Sequence, residues 1–287
     1  DQRWAEVFKQ HDVIVGISMD GPKELHDRFR VDHQGEGSYN RVKAGIIQLR
    51  QTGIPVQFLS VIQLNSDPLQ IHRHLIELGA SSIDYLFPDF THDTIAPIRA
   101  QHGSTPCADY LIPIFEEWWF KGTLDVPVSL FWNMARVILG GESQVDFLGN
   151  RPFGFLFVET DGAIEGLDVL RVCKHGIAQT GLNVLHDEFS RVAEVSELHG
   201  KAIFTGLPLP AGCQQCPEQE TCAGGYLPHR YSEQRKFDNP SVWCQDLLCL
   251  FNHIRARLDV SVEETALRRQ ILNELTDEAN QRLVGLY

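Results

Sequence analysis

The chain has 287 residues, of which 43% are hydrophobic and 22% charged, the proportions of a folded protein with room for more than one core. Its 38 Asp and Glu outnumber 25 Lys and Arg, a formal charge of -13 that disfavours nucleic acid and anionic membrane as partners. No run of about 18 apolar residues predicts a spanning helix, and the opening DQRWAEVFKQ has no signal-peptide pattern, so a cytoplasmic location is expected.

Val13 to Ser18 is a short apolar run ending in the turn Asp20-Gly21-Pro22, and it predicts a strand. Tyr39 to Leu49 places Val42, Ile46 and Leu49 at helical spacing, with Gly53 as terminator. Val56 to Ile62 predicts a second strand. Asp67-Pro68 opens a helix through Ile71, Leu75, Ile76 and Leu78 that stops at Gly79, and Ile83 to Phe87 predicts a third strand cut off by Pro88. This alternation implies parallel βα units, too few to close a barrel. Pro88 to Pro106 has weak periodicity and is expected to be a long loop. Cys107 to Phe120 and Pro127 to Leu139 read as helices, the second closed by Gly140-Gly141.

The pattern then changes, and a domain boundary is expected near residue 140, dividing 1–140 from 141–287. Phe153 to Glu159 and Ala163 to Val169 flank Thr160-Asp161-Gly162, a β-hairpin signal. The chain after Gly206 is rich in turns. Residues 262–284 predict an amphipathic helix with Leu267, Ile271 and Leu275 on one face.

Of the seven cysteines, Cys107 and Cys173 stand apart, and Cys213, Cys216, Cys222, Cys244 and Cys249 share one stretch. In Cys213-x2-Cys216-x5-Cys222 the first pair fits one tight turn and the third follows on the next bend, while Cys244 must return from a distance. Four thiolates suit Zn²⁺ or an iron–sulfur cluster. Structural zinc sites usually carry two short-spaced pairs; the second is missing here, so the spacing leans towards a cluster without excluding zinc. Cys249 falls in the helical run Leu247 to Ile254 and, like Cys107, reads as a packed thiol.

These residues resemble a known family. Gly212-Cys-Gln-Gln-Cys-Pro-Glu-Gln-Glu-Thr-Cys-Ala-Gly-Gly-Tyr-Leu-Pro-His-Arg-Tyr231, followed by Asn239-Pro-Ser-Val-Trp-Cys-Gln-Asp246, resembles the SPASM domain of radical SAM peptide-modifying enzymes, above all the cyclophane-forming maturases. A separate stretch agrees: Ile17-Ser-Met-Asp-Gly-Pro22, His26-Asp-Arg-Phe-Arg30 and Gly37-Ser-Tyr39 resemble the fourth strand of the radical SAM barrel and the segment after that strand.

The resemblance implies a partial (β/α) radical SAM barrel followed by a C-terminal SPASM domain. It implies that Ser18, Asp20, Arg30 and Asn65 serve S-adenosylmethionine. Cys213, Cys216, Cys222 and Cys244 would hold one auxiliary [4Fe–4S] cluster. A second auxiliary cluster would need a cysteine where Tyr226 stands, and an earlier pair of which only Cys173 is available. The catalytic Cys-x3-Cys-x2-Cys of the family is absent, so this chain, inactive alone, would be the C-terminal part of a longer enzyme, or else have its missing half supplied separately, and the intact form would carry S-adenosylmethionine and a second [4Fe–4S] cluster. The implied partners are a ribosomally made precursor peptide and an electron donor such as a flavodoxin or ferredoxin. The alternative is a zinc-stabilised peptide-binding module without catalysis. His26 is expected to order its turn beside Asp27, and His229 to lie in hydrogen-bonding range of cluster sulfur. Glu159 and Glu165 are expected on the hairpin, most simply as solvated positions.

Overall fold

The computed structural model describes residues 2–121, 123–149 and 151–284. Its helices are α1 (Gln2–Gln10), α2 (Lys23–His26), α3 (Tyr39–Gln51), α4 (Pro68–Glu77), α5 (Ala96–His102), α6 (Pro106–Phe120), α7 (Ser129–Ile138), α8 (Val192–Val195), α9 (Glu197–Gly200), α10 (Cys244–Leu258) and α11 (Val262–Val284). Its strands are β1 (Val15–Ser18), β2 (Val56–Val61), β3 (Ser82–Leu86), β4 (Phe157–Val158), β5 (Ala163–Glu165) and β6 (Gln179–Asn183). The chain divides into two compact units, residues 1–88 with 105–132, and residues 89–104 with 133–287. None of the described helices is long and apolar enough to cross a membrane.

The first unit is built on a parallel sheet of order β1-β2-β3, in the register Ile17–Phe58–Ile83 and Ser18–Leu59–Asp84. Beyond β3, Ile83 donates its N–H to the Pro127 carbonyl at 2.9 Å. Alternation sorts the strand residues by face. Phe58, Ser60, Ile83 and Tyr85 are buried, whereas Ser18 and Gln57 are exposed on the other face and Leu59 and Asp84 are half-buried there. Asp67 caps α4, its side chain accepting from the Leu69 N–H at 2.9 Å, and Pro68 takes the first helical turn, where a missing N–H costs nothing. Ile71 and Leu75 of α4 and Leu111, Ile114 and Phe115 of α6 are fully buried. Phe131 packs edge-on against Phe115 at 5.2 Å between ring centres.

The second unit contains an antiparallel sheet of order β4-β5-β6. The hairpin pairs Phe157 with Glu165, and its turn rests on Asp161 accepting the Ala163 N–H at 3.0 Å. The third strand, β6, lies outside the expected elements, because Gln179-Thr-Gly-Leu-Asn183 lacks a clean alternation. Its pairing with β5 shifts register between Ile164 and Glu165, and there Thr180 donates its hydroxyl to the Ile164 carbonyl. Ile164, Leu182, Val192 and Ile203 form one small core, and Leu167, Leu170, Ala202, Leu207 and Leu227 another.

One expectation is corrected: residues 88–106 are not all loop, since they include α5. That helix has Pro97 in its first turn and Gly103 at φ +84° as terminator; it buries no side chain completely, which is why apolar periodicity is missing. Its anchor is polar. Arg99 donates to the Val242 carbonyl at 2.6 Å and to Asp246 at 2.9 Å, and lies 4.9 Å from the Trp243 ring centre. In α11, Leu267, Ile271 and Leu275 are exposed rather than packed, at 57%, 46% and 57%.

Candidate functional site

At the C-terminal edge of the parallel sheet, where βα architectures place functional groups, the four residues expected to serve S-adenosylmethionine separate into two kinds. Asp20 and Arg30 face each other. The Asp20 carboxylate takes the Arg30 guanidinium through two nitrogens and accepts the Val61 N–H at 3.0 Å, tying the chain after β1 to the end of β2. Asp20 is buried. Ser18 and Asn65 are exposed. His26 does order this turn: its Nδ1 accepts the Asp20 N–H at 3.3 Å, and its Nε2–H donates to Ser38 Oγ at 3.0 Å, which in turn donates to the Arg30 carbonyl at 2.9 Å. Burial lowers the pKa of His26, which suits this neutral tautomer. Asp27 accepts the Tyr39 N–H at 2.8 Å, and Gly37 is required beside it, since a Cβ there would lie 2.2 Å from the Asp27 carboxyl carbon.

In the second unit Cys213, Cys216, Cys222 and Cys244 line one pocket with Gly224, Pro240, Ser241, Leu248 and Phe251. Local hydrogen bonds build its wall. Cys216 donates its N–H to the Cys213 carbonyl at 3.1 Å, a tight turn, and Cys222 donates to the Glu218 carbonyl at 2.8 Å. Cys244 arrives at the first turn of α10, its N–H donating to the Ser241 carbonyl at 2.9 Å, at the end of the helix whose dipole favours an anion. The two motif segments bond to each other. Ser241 donates to the Gly224 carbonyl at 3.0 Å and Val242 to that of His229 at 2.8 Å, while the Asn239 amide donates to the carbonyls of Arg230 and Lys236 at 2.8 and 3.0 Å. Asn, Ser and Cys in that order therefore serve one purpose: they bring the fourth thiol back to the other three.

Burial raises the thiols of Cys213, Cys222 and Cys244 above their usual range, and neighbouring thiols raise them further, Cys213 to about 11. Thiols held together in an apolar pocket resist becoming thiolates unless a cation compensates them, which is the chemistry of a metal-binding donor set. Among the described residues no group of three or more His, Cys, Asp or Glu is arranged to hold a metal ion.

Three charged side chains unsuspected from sequence support this pocket. Glu218, which lines it, is held in a buried bidentate pair by Arg255, at 2.6 and 2.9 Å. Arg255 also donates to Thr265 at 2.7 Å. Arg230 is buried and donates to the carbonyls of Phe237 and Pro208 at 3.0 and 3.1 Å. Arg255 left a trace in the sequence, since it stands four residues after Phe251 on the apolar face of α10.

A second group of titratable residues gathers nearby in the same unit. His229 is not on sulfur, as expected from sequence, but 3.2 Å from the Asp89 carboxylate. Tyr226 stacks edge-on against it at 5.2 Å, and Asp146 lies within the electrostatic reach of its phenol. Burial raises the pKa of Tyr226 and of Asp146, with Asp89 adding to both. Cys173 lies within the field of Tyr226; its thiol donates to the Pro228 carbonyl at 3.6 Å, and burial pushes it up to about 12. Where a second thiol set would stand, the described residues thus present a phenol, carboxylates, an imidazole and one thiol. Glu159 and Glu165 are not simply solvated: Arg171 bridges them, and Glu165 is buried.

No protein-family model matches the chain. It is 23% identical over 281 residues to the cysteine-type anaerobic sulfatase-maturating enzyme of Clostridium novyi, covering 94% of this chain and 72% of that one. It is 21% identical over 285 residues to the serine-type enzyme of Bacteroides thetaiotaomicron, covering 91% and 66%. An uncharacterized protein of Synechocystis is 40% identical over 264 residues, covering 88% of this chain and 63% of that protein. Native anSMEcpe, solved with bound AdoMet and with AdoMet plus the Kp18Cys peptide, superposes at a TM-score of 0.74. The match with the peptide complex has 19% identity and covers 90% of this chain and 71% of that one. The chain is homologous to the anaerobic sulfatase-maturating enzymes and has the radical SAM/SPASM fold. The first unit is a partial barrel, and the thiol pocket lies in the SPASM-like region after it.

Proposed function

We propose that this chain is the partial barrel and SPASM domain of a radical SAM enzyme that closes a carbon–carbon cyclophane crosslink in a ribosomally made precursor peptide. The observation that carries it is the shared pocket of four thiols, in a chain homologous to maturases one of which was solved with AdoMet and a peptide. Cys213, Cys216, Cys222 and Cys244 would hold one auxiliary [4Fe–4S] cluster. Ser18 and Asn65, exposed at the strand ends, would contact S-adenosylmethionine, while the Asp20–Arg30 pair fixes the backbone that presents them. When bound, S-adenosylmethionine and the clusters supply hydrogen-atom abstraction and one-electron transfer. Closing the ring on an aromatic carbon also releases a proton, which His229 beside Asp89 would accept.

The homology also favours a second substrate, a sulfatase peptide modified at a single Cys or Ser. The two readings separate by mass spectrometry. Full-length protein, reconstituted anaerobically, is given S-adenosylmethionine, a reductant and each candidate peptide. The crosslink reading expects the loss of two hydrogens and a fragmentation gap between the joined residues. Modification of the sulfatase peptide alone would overturn it. A colourless preparation holding one zinc per chain would instead support the zinc-stabilised binding module.

A further inference from the structure

We propose that Arg230 is a positioning residue for the auxiliary cluster, a fixed positive charge at the wall of the thiol pocket that raises the cluster's reduction potential. The inference rests on the assignment of Cys213, Cys216, Cys222 and Cys244 as cluster ligands. Two buried arginines flank this pocket, and their surroundings differ. The charge of Arg255 is cancelled by the bidentate Glu218 carboxylate, itself part of the pocket lining. Arg230 donates to two carbonyls, of Phe237 and Pro208, and to no carboxylate among the described residues. Its side chain packs behind the pocket lining: a Cβ placed on Gly224, which lines the pocket, would stand 3.7 Å from Arg230 Cδ. The anionic groups whose field reaches it are the thiols of Cys213 and Cys222 and the carboxylate of Asp238. Asp238 is more than half exposed and already accepts from the Ala211 N–H and Arg235.

A buried guanidinium with no buried counter-ion is costly unless the thiolate side of the pocket compensates it. The reduced cluster carries one more negative charge than the oxidised one, so a nearby cation stabilises the reduced form more and raises the potential. The same charge draws Cys213 and Cys222 towards the thiolate form they need as ligands. The carbonyl pair explains why Arg is required: its planar fork is held at a fixed place and orientation by two acceptors that leave its charge intact.

The test is a redox titration of the auxiliary cluster, followed by electron paramagnetic resonance, in full-length protein reconstituted anaerobically with iron and sulfide. Iron per chain is measured first. Arg230→Gln is expected to lower the one-electron reduction constant at least tenfold, a fall of about 59 mV in midpoint potential. Arg230→Lys, which keeps the charge and loses the fork, is expected to fall by less than half as much. An unchanged potential in an iron-loaded Arg230→Gln protein overturns the inference while leaving the ligand assignment intact, and so does a fall in Arg230→Lys as large as in Arg230→Gln. Wild-type protein without iron overturns the ligand assignment itself, and this inference with it. Should Arg230→Gln fail to load iron, Asp238→Asn decides: removing the opposing surface charge raises the potential if the inference holds, and an unmoved potential overturns it.

Discussion

The same ion pair occurs in both units in opposite surroundings. In the parallel-sheet unit Arg73 grips Glu117 through two bonds of 2.7 and 2.6 Å, with the arginine 52% exposed. In the thiol-bearing unit Arg255 grips Glu218 in the same fork, with the two side chains 8% and 2% exposed. The first pair sits on a core that Phe58, Ile71, Leu75, Phe115 and Trp118 already complete, and half-exposed pairs of this kind contribute little. The second lies beside a pocket whose thiol-bearing wall is built from short turns, with Leu248 and Phe251 completing its lining. One region is held by burial of regular elements. The other is held by buried charges, side-chain bonds to backbone and, on our reading, a cluster.

The largest expected effect is on that buried pair. Arg255→Leu leaves Glu218 buried without its partner and is expected to cost about 3–5 kcal/mol, whereas Arg73→Leu costs about 0–1 kcal/mol, the range for surface pairs. Chemical denaturation with hydrogen exchange resolved by segment checks both, and equal losses would erase the distinction between the two regions.

A medium effect concerns acid. His72 is fully buried against the Tyr85 hydroxyl at 2.9 Å, and burial lowers its pKa from the ordinary 6.5 to about 4. A lowered histidine pKa means the folded state resists protonation, so its contribution is complete above pH 6.5 and is lost as pH falls towards 4. Glu117, held low by Arg73, to about 2, extends the same sign to lower pH, beginning near 4.5. The first unit is therefore expected to weaken between pH 6.5 and 4, and His72→Phe to flatten that slope. Denaturation midpoints across the interval, wild type against variant, measure it, and parallel slopes would remove His72 as the cause.

The smallest effect is expected on α11. Ile271 is 46% exposed, so Ile271→Ser is expected to change stability by no more than about 0.5 kcal/mol. A larger loss in the melting transition would mean that this helix face is packed after all.

These contrasts explain which parts could be read from sequence. The three strands of the first unit and its helices α3, α4 and α6 were legible from local signals such as apolar periodicity, the Pro that opens α4 and the Gly that follows α3 and α4, whereas α1 and α2 were not read from sequence. Helix α5 carries the Pro and the Gly but not the apolar periodicity, since its hold on the fold is Arg99 rather than an apolar face. Strand β6 escaped because it lacks a clean alternation, and its pairing with β5 shifts register where Thr180 bonds to Ile164. The stripe on α11 was periodic and yet unburied, since periodicity states which residues share a face and not whether anything covers it.

Sequence alone determined the grouping of Cys213, Cys216, Cys222 and Cys244, the order of the two motif segments and the parallel βα character of the first unit. Each is written in residue spacing over a few turns of chain. Tertiary structure decided the charges: that Asp20 and Arg30 are spent on each other while Ser18 stays exposed, that His229 meets Asp89, and that Arg255 is neutralised where Arg230 is not. Partners of that kind lie 10 to 140 residues apart, and electrostatic interaction depends on distance and burial in space, which no local pattern encodes.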